Sequence, residues 1–210
     1  MLKGEILAAI YSWGCRRAEE LKVSEILKQF ISSGGEKFSQ RSLFVLKNLI
    51  PYSDYQFIGQ KNQIKDPFHQ KIVEAYWLGN DLLEKTEKNR MPYHTFSVLE
   101  HFGQIKLNQL PENLKESVEN CRISWGRVKK ISGQEIVVEY QPLIFGQKIE
   151  LGAKTLKTII WDKQTLPELK IGDHVSIHFN TARQILTKQQ LNNLKKYTKL
   201  SLKIFNTRSC

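Results

Sequence analysis

The sequence predicts an α+β protein, with an N-terminal all-helical domain over residues 1–120 followed over residues 121–210 by a small β-barrel with a C-terminal helix. Apolar residues recur at helical intervals before residue 121 and alternate with polar residues after it. The charge changes at the same place: residues 1–120 carry 16 Lys and Arg against 15 Asp and Glu, whereas residues 121–210 carry 16 against 6. We therefore place a domain border near residue 120.

Helical spacing defines the first domain. The stretches LKGEILAAIYSW, KVSEILKQFI and QRSLFVLKNLI each place their apolar residues on one face. A longer helix is predicted over residues 66–85, because Asp66 can accept backbone hydrogen bonds as N-cap and Pro67 fits the first turn. Two shorter helices are predicted over YHTFSVLEHF and LPENLKESVEN.

Two histidines, His94 and His101, share one face of the helix YHTFSVLEHF. They lie seven residues apart, whereas two metal ligands on one helix usually lie three or four residues apart. Surface or hydrogen-bonded core histidines are the favoured interpretation of both.

Strand patterns begin after Cys121. Four stretches contain alternating, β-branched and aromatic residues, with Gly-containing turns between them: RISWGRVKKI, QEIVVEYQPLIF, KIELGAKTLKTIIW and LPELKIGDHVSIHF. About five short strands at this density predict an OB-like barrel. In the tail, Thr187 and Gln190 form a capping box at the start of the last helix.

Composition excludes several classes of protein. No run of the chain approaches the roughly 18 apolar residues that cross a membrane, and acids follow the start too closely for a signal peptide, so we expect a cytoplasmic protein. The cysteines Cys15, Cys121 and Cys210 are odd in number and do not predict a disulfide framework. ISSGGEKF lacks the Lys-Ser/Thr ending of a phosphate-binding loop, and no Ser-His-Asp or paired-carboxylate pattern can be argued from the sequence, so no enzyme is predicted.

The second domain resembles the hydrogenase-assembly chaperones of the HypC/HupF type, which are small OB-like barrels with a C-terminal helix. The resemblance rests on CRISWGRV, where Cys121 precedes Gly126 by five positions, and on GDHVSIH, which ends at His178. It covers about 75 residues, from Cys121 to roughly Leu194. The whole chain also looks like a bacterial family of unknown function that accompanies hydrogenase genes.

The resemblance implies a role in metal-centre assembly. In those chaperones a cysteine and a histidine hold or hand over iron with its cyanide and carbon monoxide ligands, and the cysteine contacts the immature hydrogenase large subunit. By carry-over, Cys121 is the candidate thiolate ligand and His178 is its partner. Partner-binding residues are then expected beside the cysteine: Arg122, Trp125, Gly126 and Arg127. The expected partners are the large subunit or other maturation proteins, and no membrane.

A basic OB-like barrel also allows a second interpretation, namely that the second domain is a nucleic-acid-binding module. Its phosphate contacts would come from lysines of the first strand and the last helix: Lys129, Lys130, Lys195, Lys196 and Lys199. Under this alternative, Trp125, Tyr140 or Phe145 would stack on bases.

Overall fold

A computed structural model describes residues 4–13, 23–35, 40–49, 52–87, 91–102 and 110–208 of the chain. Its residues form two compact units, Met1–Pro92 and Tyr93–Cys210. The first unit is helical, and the second contains a closed five-stranded barrel followed by a helix. This architecture confirms the predicted α+β class. No helix of the described ranges is both long and apolar enough to cross a membrane.

The first unit consists of short helices around a buried aromatic cluster. Trp77 donates its indole N–H to the hydroxyl of Tyr55 at 2.6 Å, and the ring of Tyr11 stacks on Trp77 at 5.1 Å. The helices are α1 (Gly4–Ser12), α2 (Ser24–Ser32), α3 (Gln40–Leu49), α4 (Tyr52–Asn62) and α5 (Gln70–Leu78), and a 3₁₀ helix (Asp81–Lys85) follows them.

The single helix predicted over residues 66–85 is wrong in its start and its length. Helix α5 begins at Gln70, where the ring Nδ1 of His69 accepts a backbone hydrogen bond as N-cap. The carboxylate of Asp66 instead accepts a backbone hydrogen bond in the turn before the helix. Gly79, with φ of 81°, ends α5 because most other residues avoid this conformation.

The second unit begins with two helices, α6 (His94–Phe102) and α7 (Glu112–Cys121). Helix α8 (Lys188–Arg208) ends the described chain. The seven strands between α7 and α8 are β1 (Ser124–Ser132), β2 (Glu135–Tyr140), β3 (Leu143–Phe145), β4 (Ile149–Leu151), β5 (Thr155–Ile160), β6 (His174–His178) and β7 (Thr181–Ile185).

The barrel has the strand order β1–β2–β5–β7–β6, and β6 closes it by pairing with β1. Only β5 and β7 pair in parallel, through Ile160 and Thr181, and the other barrel pairs are antiparallel. Val128, Val138 and Ile177 lie in its core, and Leu166 and Leu169 pack into it from the segment before β6. The OB-like barrel predicted from the sequence is therefore confirmed.

A second apolar core explains why this unit begins at Tyr93 rather than near residue 120. Val118 of α7 and Leu202 of α8 are buried together with residues of α6 and of the β3–β4 hairpin. Helices α6 and α7 thus bury their apolar faces together with α8, the helix that follows the barrel. The predicted capping box of α8 is confirmed, since the N–H of Gln190 donates to Oγ1 of Thr187 at 3.2 Å and the N–H of Thr187 donates to Oε1 of Gln190 at 3.0 Å.

Candidate metal centre

Three potential ligands from three elements meet in the second unit. His94 is the first residue of α6, Cys121 is the last residue of α7, and His178 is the last residue of β6. One ligand atom of each residue lies within 4.8 Å of those of the other two. His178 is buried, whereas His94 and Cys121 are half-buried. The described structure therefore brings together the two residues proposed from the sequence and adds a third.

His94 contacts Cys121 directly. Nε2 of His94 lies 3.8 Å from Sγ of Cys121 and 2.9 Å from the carbonyl oxygen of the same residue. The rings of His94 and His178 are 5.2 Å apart and nearly perpendicular. The sulfur and the two imidazoles therefore surround one small volume.

The turn between β6 and β7 fixes His178 beside the end of α7. Phe179 and Asn180 form this turn with φ of 48° and 54°, the two positive values of a type I′ turn. The N–H of Phe179 donates to the carbonyl oxygen of Asn120 at 2.8 Å, and the Phe179 ring lies 4.7 Å from that of His178. A bulky residue is strained at positive φ, so tertiary contacts must hold the turn in this form.

An ion pair at the C-terminal end of α7 also anchors the cysteine. Arg122 donates from Nε and Nη2 to the two carboxylate oxygens of Glu119, at 3.2 and 3.0 Å. Nη2 also donates to the carbonyl oxygen of Gln141 at 2.6 Å, and Glu119 accepts the N–H of Leu143 at 2.8 Å. Because Cys121 lies between the two charged residues in sequence, this network ties its backbone to the start of β3.

The imidazole of His94 is uncharged at neutral pH. Desolvation by burial lowers the pKa of His94 from 6.5 to about 4, although the hydrogen bond with the Cys121 carbonyl raises it. A neutral imidazole keeps a lone pair on one ring nitrogen, which is the form that binds metal ions. The ring therefore has no net proton to release to solvent when it acts as a ligand.

The donor set fits a borderline or soft transition metal. One thiolate with two imidazoles is typical of sites for zinc, copper and iron, whereas magnesium and calcium prefer oxygen ligands. A tetrahedral site with a thiolate at about 2.3 Å and imidazoles at about 2.0–2.1 Å separates sulfur from nitrogen by about 3.6 Å. The 3.8 Å between Sγ of Cys121 and Nε2 of His94 is close to this separation.

Comparison with known proteins assigns the chain to a family. The profile of a family of unknown function, DUF6390, matches residues 80–210 and hence all three potential ligands. The chain belongs to the DUF6390 family. No curated protein and no solved structure matches the chain.

In this DUF6390 protein, the sequence favoured His94 as a surface or hydrogen-bonded core histidine and did not indicate that it lies beside Cys121 and His178. His101, on the same helix, is exposed and is not a member of the cluster. The spacing of the two histidines was therefore uninformative, because the neighbours of His94 come from α7 and β6. Cys15 and Cys210 lie outside the described residues.

The expected partner-binding residues of this DUF6390 protein have different environments. The side chain of Arg122 is buried in its pair with Glu119, and Trp125 is also buried. A Cβ atom at Gly126 would lie 2.8 Å from the Val138 Cβ, so this glycine serves packing. Arg122 and Trp125 thus lie in the interior, whereas Arg127 is exposed, and partner binding by these residues stays a prediction.

The lysines of the nucleic-acid alternative lie on the second unit's surface or partly within it. Lys129 pairs with Glu139 at 2.8 Å and is only partly free to meet a phosphate. Lys130, Lys196 and Lys199 are exposed, and Lys195 is half-buried. Among the proposed stacking residues, Trp125 is buried, and Tyr140 and Phe145 are half-buried. Nucleic-acid binding by this DUF6390 protein stays a prediction from composition.

Proposed function

We propose that this protein is a non-catalytic accessory or maturation factor for a nickel–iron hydrogenase or a related metalloenzyme. Cys121 is its thiolate ligand and His178 is the partner of that thiolate. The cargo is iron, carried transiently with its cyanide and carbon monoxide ligands. The observation that carries the proposal is the convergence of Cys121 and His178, from α7 and β6, within one ligand cluster.

The chemistry of the pair suits such a cargo. A thiolate is a soft, strong donor for iron, and an imidazole beside it can ligate the same ion or donate a hydrogen bond to the sulfur. Cys121 is half-buried, a position between full protection from solvent and full access to it. A carrier needs both properties, because it must protect the cargo and then release it.

The position of the cysteine differs from that in the chaperones that the barrel resembles. There the cysteine is the first residue of the mature chain, whereas here it ends helix α7, and β1 begins after Arg122 and Ile123. Its backbone is held by the network around Glu119 and Arg122. We infer that transfer brings the recipient to the barrel surface and does not insert a chain end into the recipient.

The proposal is tested by purifying the protein without oxygen, beside the variants Cys121→Ala and His178→Ala. We expect iron by metal analysis and cyanide and carbonyl stretching bands in the infrared spectrum of the wild type, and the loss of both in Cys121→Ala. His174→Ala is the matched control, because His174 lies on the same strand β6 and outside the cluster. Absence of iron, of these bands and of any co-purifying hydrogenase subunit or maturation factor would refute the proposal.

A further inference from the structure

We infer that His94 is a third metal ligand, so that the protein itself supplies two imidazoles and one thiolate to a divalent first-row transition metal ion. The inference rests on the proposed function for the identity of the cargo, and it adds a ligand from outside the resembling segment. That segment begins at Cys121, so α6 and its first residue have no counterpart in it.

The placement of His94 favours a ligand over a residue of the core. Its ring lies at the N-terminal end of α6, half-buried, with Nε2 directed at both Sγ and the carbonyl oxygen of Cys121. The ring of His178 approaches the ring of His94 edge to face at 5.2 Å. Two imidazoles and a sulfur whose ligand atoms all lie within 4.8 Å need only small side-chain rotations to contact one ion.

One proton must move within the His94 ring when the ion binds. In the structure, the neutral ring donates from Nε2 to the Cys121 carbonyl at 2.9 Å. Coordination through Nε2 requires the other tautomer, with the proton on Nδ1. No net charge is taken up by the imidazole, and the thiol of Cys121 releases its proton to solvent as the thiolate binds the ion.

The three-ligand set leaves the ion coordinatively open. Structural zinc sites are closed by four protein ligands, whereas sites with three protein ligands keep a position for water or another molecule. Within the described residues, the cluster contains no fourth His, Cys, Asp or Glu. This arrangement suits a carrier, because the ion can hold small exogenous ligands at the positions that the protein does not fill.

Cobalt(II) titration without oxygen tests the inference on the full chain. We expect a thiolate-to-cobalt charge-transfer band and intense visible bands in the wild type. His94→Ala should lower the affinity for cobalt at least about 100-fold, which is the upper range for loss of an outer-shell partner. His101→Ala is the control, because His101 is exposed on the same helix, and it should bind cobalt like the wild type.

X-ray absorption on the zinc-loaded wild type tests the same inference without a variant, so the result does not depend on whether His94→Ala folds. We expect one sulfur and two imidazole nitrogens around zinc. A single imidazole, equal cobalt affinity of wild type and His94→Ala, or no cobalt binding by the wild type would each overturn the inference. If His94→Ala keeps the iron with unchanged infrared bands, the inference fails and the proposed function stands. If the wild type binds cobalt through three ligands but never acquires iron with those bands or a hydrogenase partner, the proposed function fails instead.

Discussion

The guanidinium of Arg122 is fully buried, and it contacts both carboxylate oxygens of Glu119, one turn earlier on the chain. The pair spans the residue that carries the candidate thiolate, Cys121. It also joins α7 to the strand region, because Arg122 donates to the carbonyl of Gln141 and Glu119 accepts the N–H of Leu143. The backbone that carries the sulfur is therefore held in place by these two side chains.

Arg122→Ala is expected to lower the free energy of unfolding by about 3–5 kcal/mol, because it leaves the mostly buried Glu119 carboxylate without its cation. Urea denaturation followed by circular dichroism measures this loss. Lys115→Ala is the control, since Lys115 pairs with the largely exposed Glu112 at the other end of α7 and should cost about 1 kcal/mol or less. Equal losses in the two variants would contradict the anchoring role of Arg122.

Gly126→Ala is expected to destabilise the barrel by about 1–3 kcal/mol through overpacking. The added methyl would lie 2.8 Å from the Val138 Cβ and 3.1 Å from Cδ1 of Ile177, and both are core residues. Gly146→Ala is the matched control, because its Cβ would meet nothing closer than the Lys148 carbonyl oxygen at 3.9 Å. Thermal unfolding of both variants measures this loss. If Gly126 served partner binding and not packing, Gly126→Ala would unfold like the wild type and would bind the partner protein more weakly.

Local patterns in the sequence predicted much of the fold because helix and strand periods depend on neighbouring residues. The change from helical spacing to alternation placed the barrel correctly, and the capping box at Thr187 is formed as predicted. The helix over residues 66–85 failed because His69 and Gly79 set its ends more strongly than its apolar spacing did. The extent of the second unit could not be read from the sequence, since it depends on Val118 packing with residues of α8.

The candidate site was harder to predict because its residues come from three elements. Spacing rules find ligands within one helix or loop, and they do not relate His94 to Cys121 or His178. The interior position of Trp125 was also hard to predict, because it depends on which elements cover the two faces of β1. The first three residues of β1 are all buried, so both faces of the strand are covered there and alternation does not show which side chains are exposed.

Binding to single-stranded oligonucleotides is expected to be weak at physiological salt and to fall as salt rises. The reason is that Lys129 and Lys154 both pair with Glu139 and that Trp125 cannot stack on a base from the interior. Fluorescence anisotropy with a labelled oligonucleotide at two salt concentrations measures this. Tight binding at physiological salt that Lys196→Ala weakens would instead favour the nucleic-acid alternative.

Glu139 gives the barrel an acid-dependent contribution to stability. Hydrogen bonds from Lys129 and then Lys154 lower the pKa of Glu139 from 4.5 to about 2. Because the carboxylate holds its proton less tightly in the folded state than in the unfolded state, its contribution is fully present above about pH 4.5 and is lost as the pH falls toward 2. Glu139→Gln cannot titrate, so its deficit in unfolding free energy relative to the wild type should be constant at neutral pH and shrink across this window.

Urea denaturation at a series of pH values measures that difference, with salt as the second variable. Lys154 is 68% exposed and Lys129 is 38% exposed, so added salt should screen both pairs and reduce the deficit at neutral pH. Lys154→Ala should make the deficit of Glu139→Gln smaller, because only the Lys129 pair then remains to be lost. A deficit that is independent of pH from neutrality to pH 2 would mean that Glu139 acts through packing and not through its charge.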